Sequence, residues 1–450
     1  MVSVNSTDKM TLDDSVLLKV GQRVECNGHY GTIGYVGEVP PTKGTWLGVD
    51  WDDPSRGKHN GSHNGVTYFN TRHPTSGSFV RLEKVNFGRS CPSAIRCRYG
   101  EVENDETAGI NKKNLALLQR EINARFLEVV GFDKVNKKQR NYFHNDYILV
   151  LSLPCLKNMK YELLNLCPNI QELDLSRNLT NSWHSLAVIA AQLKFLRILN
   201  ISENKLEIPN DPTELRDAFQ NLQHIIMGNM EYSWSQILSC AAMWPNIEKL
   251  QVPFNKMTII ETPRVEVLQR LISLDIEGNS LHNWEHINKL GNLPCLEYLN
   301  ASNTGISDIS FPTSQPENKT KLFPVLKQLH LSENNIQTWD SINELNKLAV
   351  LEELRFRENP VLQQENVETS RQLVIARIAD LKNLNGVVIT NDERKGAEID
   401  YLKKYGVLWI GATKTTDVQY HKHIMDTFVD SHPRYLQLIE SDFVITLQCM

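Results

Sequence analysis

The chain has 450 residues, 41% of them hydrophobic, enough for two to four domains of roughly 100–200 residues each with real apolar cores. Its 48 basic and 53 acidic residues leave a net charge of −5, so no global field draws it to nucleic acid or to an anionic membrane. The eight cysteines are scattered, with no Cys-x-x-Cys pair and no Cys/His cluster at zinc spacing; reduced thiols, no metal and no cofactor are expected. The first twenty residues carry acidic side chains where a secretory signal has an apolar core, and no run of about 18 apolar residues occurs. The expected location is the cytoplasm.

In chain order, the first unit spans residues 12–87. From Gly21 to Arg81 it holds 11 of the 23 glycines among short β-type runs such as Trp46-Leu-Gly-Val-Asp-Trp51 and Val66-Thr-Tyr-Phe69, the composition of a small β barrel with tight turns. Gly28, Gly31, Gly34 and Gly37 recur at every third position, which is not the GxGxxG or GK[ST] spacing of a phosphate loop. Residues 54–82 contain no Asp or Glu, while Arg56, Lys58, Arg72 and Arg81 are basic and His59, His63 and His73 add to them. An acidic peptide is the natural complement. Within this stretch, Gly57-Lys58-His59-Asn60-Gly61 lets a partner approach the backbone, with Lys58 and Asn60 in reach of a carboxylate and the aromatics Trp46 and Phe79 nearby.

Residues 21–85 resemble a CAP-Gly domain through Gly44-Thr-Trp-Leu-Gly-Val49, the Gly57–Gly61 segment and Gly77-Ser-Phe-Val-Arg81. The resemblance implies an SH3-like β barrel whose groove captures acidic C-terminal tails ending in an aromatic residue, as on α-tubulin. It nominates Trp46, Gly57, Lys58, His59, Asn60, Gly61, Phe79 and Arg81 as tail-binding residues, with Asn60 standing where that family has aspartate.

Residues 88–147 are rich in charge and carry a heptad-like Leu115, Leu118, Ile122, Phe126, which predicts a linker with one short helix. Residues 148–390 then read as a leucine-rich repeat solenoid of α/β type. The pattern L-x-x-L-x-L-x-x-N-x-L is complete at Leu196, Leu271 and Leu326, substituted at Ile247 and Leu351, and weaker at Ile148, Ile170, Leu222 and Leu296. The long interval between the copies at Leu296 and Leu326 holds the polar insert 312–320. The Leu-x-Leu core predicts a short strand with alternate side chains inward, and the Asn suits the turn after it, where its amide bonds backbone groups left unpaired. Trp183, Trp234, Trp284 and Trp339 recur 12 or 13 residues into alternate repeats and are expected to pack the return segment.

The strand residues expected on the concave side are Asp174, Asn200, Ile226, Gln251, Asp275, Asn300, His330 and Arg355, a polar ladder suited to a large protein partner. Arg371–Ile378, Leu381, Leu384 and Gly386 predict an amphipathic, polar-faced C-terminal cap, and 391–450 reads as an extension.

A CAP-Gly unit followed by leucine-rich repeats is similar to the tubulin folding cofactor E family of tubulin chaperones. That likeness extends to Gly131-Phe-Asp-Lys-Val, Cys167-Pro-Asn-Ile, Ala397-Glu-Ile-Asp-Tyr401 and His432-Pro-Arg-Tyr435. It implies a non-enzymatic chaperone associated with the cytoskeleton, whose partners are α-tubulin and other tubulin folding cofactors and which promotes assembly or dissociation of the αβ heterodimer. It also implies a ubiquitin-like domain at the C-terminus, for which the 15 residues after Tyr435 are too few. The competing expectation is a microtubule-associated adaptor that binds polymer through the groove and recruits a partner through the repeats. No P-loop, GxSxG elbow, HExxH helix or kinase set occurs, so no catalytic residue is nominated.

Overall fold

The computed structural model describes residues 18–88, 91, 148–150, 163–312, 319–413 and 418–440. The predicted short helix around Leu115–Phe126 and the closing residues 441–450 lie outside the described residues.

The first unit is built on strands β1 (Arg23–Cys26), β2 (His29–Val39) and β3 (Thr42–Trp51), a two-strand hairpin β4 (Ser62–His63) and β5 (Val66–Thr67), and β6 (Gly77–Arg81). β1, β2, β3 and β6 form one antiparallel sheet in that order. Period-two alternation sends Val24, Ile33, Leu47, Val49, Trp51 and Val80 into one small core. The opposite side of the barrel wall is sealed by charge. Arg23 and Arg72 pair with Asp52, with Arg23 Nη1 to Asp52 Oδ1 at 2.7 Å and Arg72 Nη2 to the same oxygen at 2.8 Å; Arg72 also reaches Asp50 at 2.9 Å.

This ion-pair network makes a prediction. Burial pushes the Asp52 carboxyl upward, but its bonds to Arg23 and Arg72 outweigh that and hold it below the ordinary aspartate range. A depressed carboxylate contributes stability that is complete above its unfolded value and disappears as pH falls through its folded one. Acid unfolding of Asp52→Asn, followed by tryptophan fluorescence, is therefore expected to show a flatter acid limb than the parent chain and no change in slope at neutral pH.

The second unit is a stack of three-residue strands: β7 (Ile148–Val150), β8 (Glu172–Asp174), β9 (Ile198–Asn200), β10 (His224–Ile226), β11 (Lys249–Gln251), β12 (Ser273–Asp275), β13 (Tyr298–Asn300), β14 (Gln328–His330) and β15 (Glu353–Arg355). All are parallel and in sequential order, the geometry of a leucine-rich repeat solenoid. Because Leu149 is the partner of Leu173, it occupies the fourth position of the pattern, and the first copy begins two residues before Ile148. The ladder also runs one rung past the nine repeats: β16 (Asn383–Leu384) adds in parallel, and β17 (Val387–Val388) turns back antiparallel.

The fixed apolar positions are buried without exception in the three complete copies, Leu199, Leu274 and Leu329 at 1, 0 and 0% exposure. Each fully buried side chain of this size contributes about 1.5–3 kcal/mol, realised only because the adjoining repeat covers it. The return segments carry short helices α1 (Leu163–Leu166), α2 (Trp183–Ala190), α3 (Trp234–Ala241), α4 (Trp284–Asn288) and α5 (Trp339–Leu345), four of which open on the recurring tryptophans. Three of these are core residues: Trp183 stacks on Trp244 at 5.7 Å and donates to the Tyr232 hydroxyl at 3.1 Å, which in turn donates to the Leu206 carbonyl at 2.8 Å. Trp339 is only half-buried and lies under Arg377.

The pattern asparagines are buried, Asn204, Asn255, Asn279, Asn334 and Asn359 at 1, 3, 1, 6 and 0% exposure. They bond across the repeat boundary as well as within their own turn. Asn279 Oδ1 accepts from the backbone N–H of Asn255 and Met257 at 3.0 Å each, while its Nδ2 donates to Ile276 O at 2.8 Å and Val252 O at 3.1 Å. Each turn is thereby locked to the one before it.

The cap differs from the polar-faced helix expected. α6 (Val367–Arg377) is buried on several sides, including Leu373, Val374, Ile375, Ala376 and Arg377, because α7 (Asn391–Thr413) packs on its outer face and α8 (Val418–Ser431) on α7. Residues 391–440 are thus part of the cap's packing, through a cluster of Leu373, Ala376, Tyr401, Phe428, Tyr435 and Leu438. Arg377, 2% exposed, has no carboxylate partner among the described residues. It lies between Trp339 and Tyr401, 5.3 and 5.2 Å from the ring centres, and donates to Asn343 Oδ1 at 2.7 Å and to the Ser431 carbonyl at the C-terminus of α8 at 3.3 Å. Ring quadrupoles and the negative end of a helix replace a counter-ion.

Candidate functional site

A cleft of about 520 Å³ opens on the β-barrel unit, lined among others by Trp46, Arg56, Lys58, His59, His63, Phe79, Arg81 and Lys84 and by no Asp or Glu. The acids of the neighbouring Asp50–Asp53 run are engaged elsewhere: Asp50 and Asp52 with Arg23 and Arg72, and Asp53 capping Ser55 at 2.9 Å. Arg56, Lys58, Arg81 and Lys84 make no ion pair among the described residues, so the cleft carries four uncompensated cations.

The Gly57–Gly61 segment is stitched onto the start of β6. The N–H groups of Lys58 and His59 donate to Gly77 O at 2.7 and 3.1 Å, and Gly77 N–H returns a bond to His59 O at 2.8 Å. This closeness explains the glycines. A Cβ on Gly57 would lie 2.0 Å from Thr75 O, and Gly61 has φ +89° with Phe69 O 1.9 Å from where its Cβ would sit. Gly57→Ala is expected to unseat the segment, destabilising the unit locally by about 3 kcal/mol. Hydrogen exchange on the full chain would read this as lost protection of the Lys58 and Gly77 amides, with the solenoid strands unaffected.

Phe79 forms the floor. Tyr68 and Phe69 meet it edge-on at 5.4 and 5.6 Å, and the His59 ring tilts over it at 5.0 Å. His59 Nδ1 accepts from Gly61 N–H at 3.0 Å, which fixes the neutral tautomer with its proton on Nε2. Burial, and then the neighbouring His63, push the His59 imidazole below its ordinary value, so it is a neutral donor at physiological pH. On the rim, the Arg81 guanidinium stacks 3.8 Å above the Trp46 ring and is held there by Lys43 O at 3.0 Å. Trp46 is oriented from its other end, its Nε1 donating to Thr42 at 2.9 Å.

Of the nominated residues, Trp46, Lys58, His59, Phe79 and Arg81 converge on the cleft. Gly57, Asn60 and Gly61 shape the loop instead; Asn60 Oδ1 accepts from Ser62 N–H at 3.3 Å. Arg72, another basic residue of the acid-free stretch, is absent from the cleft lining and pairs with Asp50 and Asp52 while staying exposed. Lys84 and Tyr68 were not nominated. Lys84 lies beyond the acid-free stretch, and its place in the cleft depends on the one-turn helix 82–84 after β6.

The strand residues expected on the concave side are largely occupied with their own surroundings. Asp174, Asn200, Asp275 and Asn300 each accept from the backbone N–H two residues on, at 2.8, 3.1, 3.0 and 3.1 Å, closing a turn at the strand end. Gln251 bonds His224 at 3.1 Å, His330 Nδ1 meets the Tyr298 hydroxyl at 3.0 Å, and Arg355 approaches Glu353 at 3.8 Å. Burial, then Arg355, push the His330 imidazole down to about 4, so it is uncharged at neutral pH.

A cationic, aromatic-floored cleft joined in one chain to a repeat solenoid defines a modular protein-binding molecule. Residues 20–85 match the CAP-Gly domain family. The chain is 42% identical to tubulin-specific chaperone E of Danio rerio over 96% of this chain and 80% of that protein, and 41% identical to its counterpart in Xenopus laevis over 93% and 78%. Among solved structures, the Bik1 CAP-Gly domain with the ETF peptide from Bim1 is 37% identical, covering 14% of this chain and 78% of that one with a TM-score of 0.14. The chain belongs to the tubulin-specific chaperone E family.

Proposed function

We propose that the chain is a tubulin-binding chaperone without enzymatic activity, in which the cleft takes the acidic C-terminal tail of α-tubulin and the solenoid holds the folded body. The observation that carries this reading is the cleft itself: Arg56, Lys58, Arg81 and Lys84 surround an aromatic floor with no acid in the lining, the complement of a carboxylate-rich tail with an aromatic end. Kinship with proteins named tubulin-specific chaperone E supplies the partner. Two tethered contacts on one subunit multiply affinity through effective concentration. Such a grip, working with other tubulin folding cofactors in the cytoplasm, would assemble or dissociate the αβ heterodimer.

Size-exclusion chromatography with purified tubulin tests it: a one-to-one complex, or separation of α from β, is expected. Sedimentation with microtubules decides against the adaptor reading if tubulin stays in the supernatant, and for it if the chain pellets with intact polymer.

A further inference from the structure

Along one rim of the solenoid, the eighth position of each described repeat, just before the asparagine position, takes a left-handed backbone. Arg177, Glu203, Asn229, Phe254, Gly278, Asn303, Glu333 and Glu358 have φ between 51° and 68°. Their N–H groups continue the ladder beyond the strands, Asn229 to Pro253 O at 3.0 Å, Phe254 to Glu277 O at 2.8 Å and Gly278 to Ser302 O at 3.0 Å, so they stand side by side in one row. Glycine and asparagine tolerate this conformation; a bulky apolar residue is an outlier there. Phe254 is that outlier, and it is also 47% exposed. Its ring rests over Gly278, where a Cβ would come within 2.2 Å of it, and its other row neighbour is the short Asn229. The result is an aromatic knob on a shelf of small residues. For a non-glycine residue such a backbone costs on the order of 1–3 kcal/mol, and strain of this kind clusters at functional surfaces.

We infer that Phe254 is the anchor of a second protein-binding surface on this rim, one that seats a folded partner carrying an apolar socket beside basic residues. The charge follows from the acids on its C-terminal side. Glu333 and Glu358 make no ion pair among the described residues and Glu277 accepts only from Asn300 at 2.9 Å, whereas on the other side Arg177–Glu203 and Lys205–Glu231 neutralise each other and Lys256 lies 4.0 Å from Glu231. With much of the concave ladder bonded to itself, the rim offers the unengaged groups. Resting on the function proposed above, the occupant is the body of a tubulin subunit, and the rim and the cleft then hold one partner by surfaces of opposite charge.

Phe254→Asn tests this on the full chain, because the row's own residues Asn229 and Asn303 show that asparagine suits the backbone. The melting temperature is expected to stay the same or rise by about 2 °C, binding of a synthetic acidic peptide to the cleft to stay unchanged, and affinity for purified tubulin to fall at least about tenfold. Parental tubulin affinity in the variant overturns the inference and leaves the proposed function standing. A lower melting temperature overturns it as well, since Phe254 is then a packing residue. If the parent chain itself fails to bind tubulin, the proposed function falls, and the inference falls with it.

Discussion

Lys58→Glu is expected to lower affinity for an acidic, aromatic-ended peptide by about 100-fold, equivalent to about 2.7 kcal/mol. The reversal removes one of four cations from a cleft that holds no compensating acid and places a carboxylate against the incoming one. The fold tolerates it, because what seats Lys58 is its backbone N–H on Gly77 O at 2.7 Å, which glutamate keeps. Fluorescence anisotropy with a labelled peptide reads the loss, and the loss should shrink as salt rises, since exposed charges are screened beyond about 10 Å at 0.1 M. Retention of full affinity by the variant would mean that the peptide does not enter this cleft. On the proposed two-contact grip, tubulin itself should lose less than the peptide.

Asn279→Ala is expected to destabilise the solenoid by about 3–5 kcal/mol, counting two or more buried backbone groups orphaned at about 1–3 kcal/mol each. Its side chain is 1% exposed and serves the N–H groups of Asn255 and Met257 and the carbonyls of Val252 and Ile276. Urea denaturation followed by far-UV circular dichroism reads the shift in midpoint, with the peptide affinity of the β-barrel unit as the internal control. Repeats that lack the asparagine show what partial substitution looks like. Thr304 uses its hydroxyl toward Ala301 O at 2.9 Å, and Met230 supplies no side-chain bond at all, its N–H being capped by Asn255 at 2.9 Å.

Periodicity made the solenoid legible because one constraint repeats: each Leu-x-Leu must face a core that only its neighbours complete. What a period cannot show is where the array stops. Leu384 sits at a strand position with no Asn-bearing copy around it, so its rung emerges only from pairing with Leu354. Likewise the tertiary cover over α6 is invisible in a helix read alone, and Arg377, polar in sequence, is interior because α8 ends beside it. In the cleft, residue types marked the aromatic floor and Lys58, but composition treated all basic residues alike. Whether an arginine lines the cleft unpaired like Arg81 or is paired off like Arg72 depends on which acids the barrel brings near it, a pairing separated by 20 residues or more. The concave ladder was assigned by alternation, which puts Asp174 and Asn300 at equivalent strand positions. Alternation says nothing about the amide two residues on that claims the side chain.

The antiparallel turn at β17 bears on assembly. A stack of parallel rungs is open-ended by construction, and its last edge would template another copy of itself without limit. Reversing the chain direction at Val387–Val388 offers an incoming rung the wrong polarity, and α6 closes the space behind it. The array is therefore a ruler closed at this end: among the described residues, ten parallel rungs at about 4.8 Å give an inner face of about 43 Å. That length bounds how much of a partner's surface the rungs can line at once.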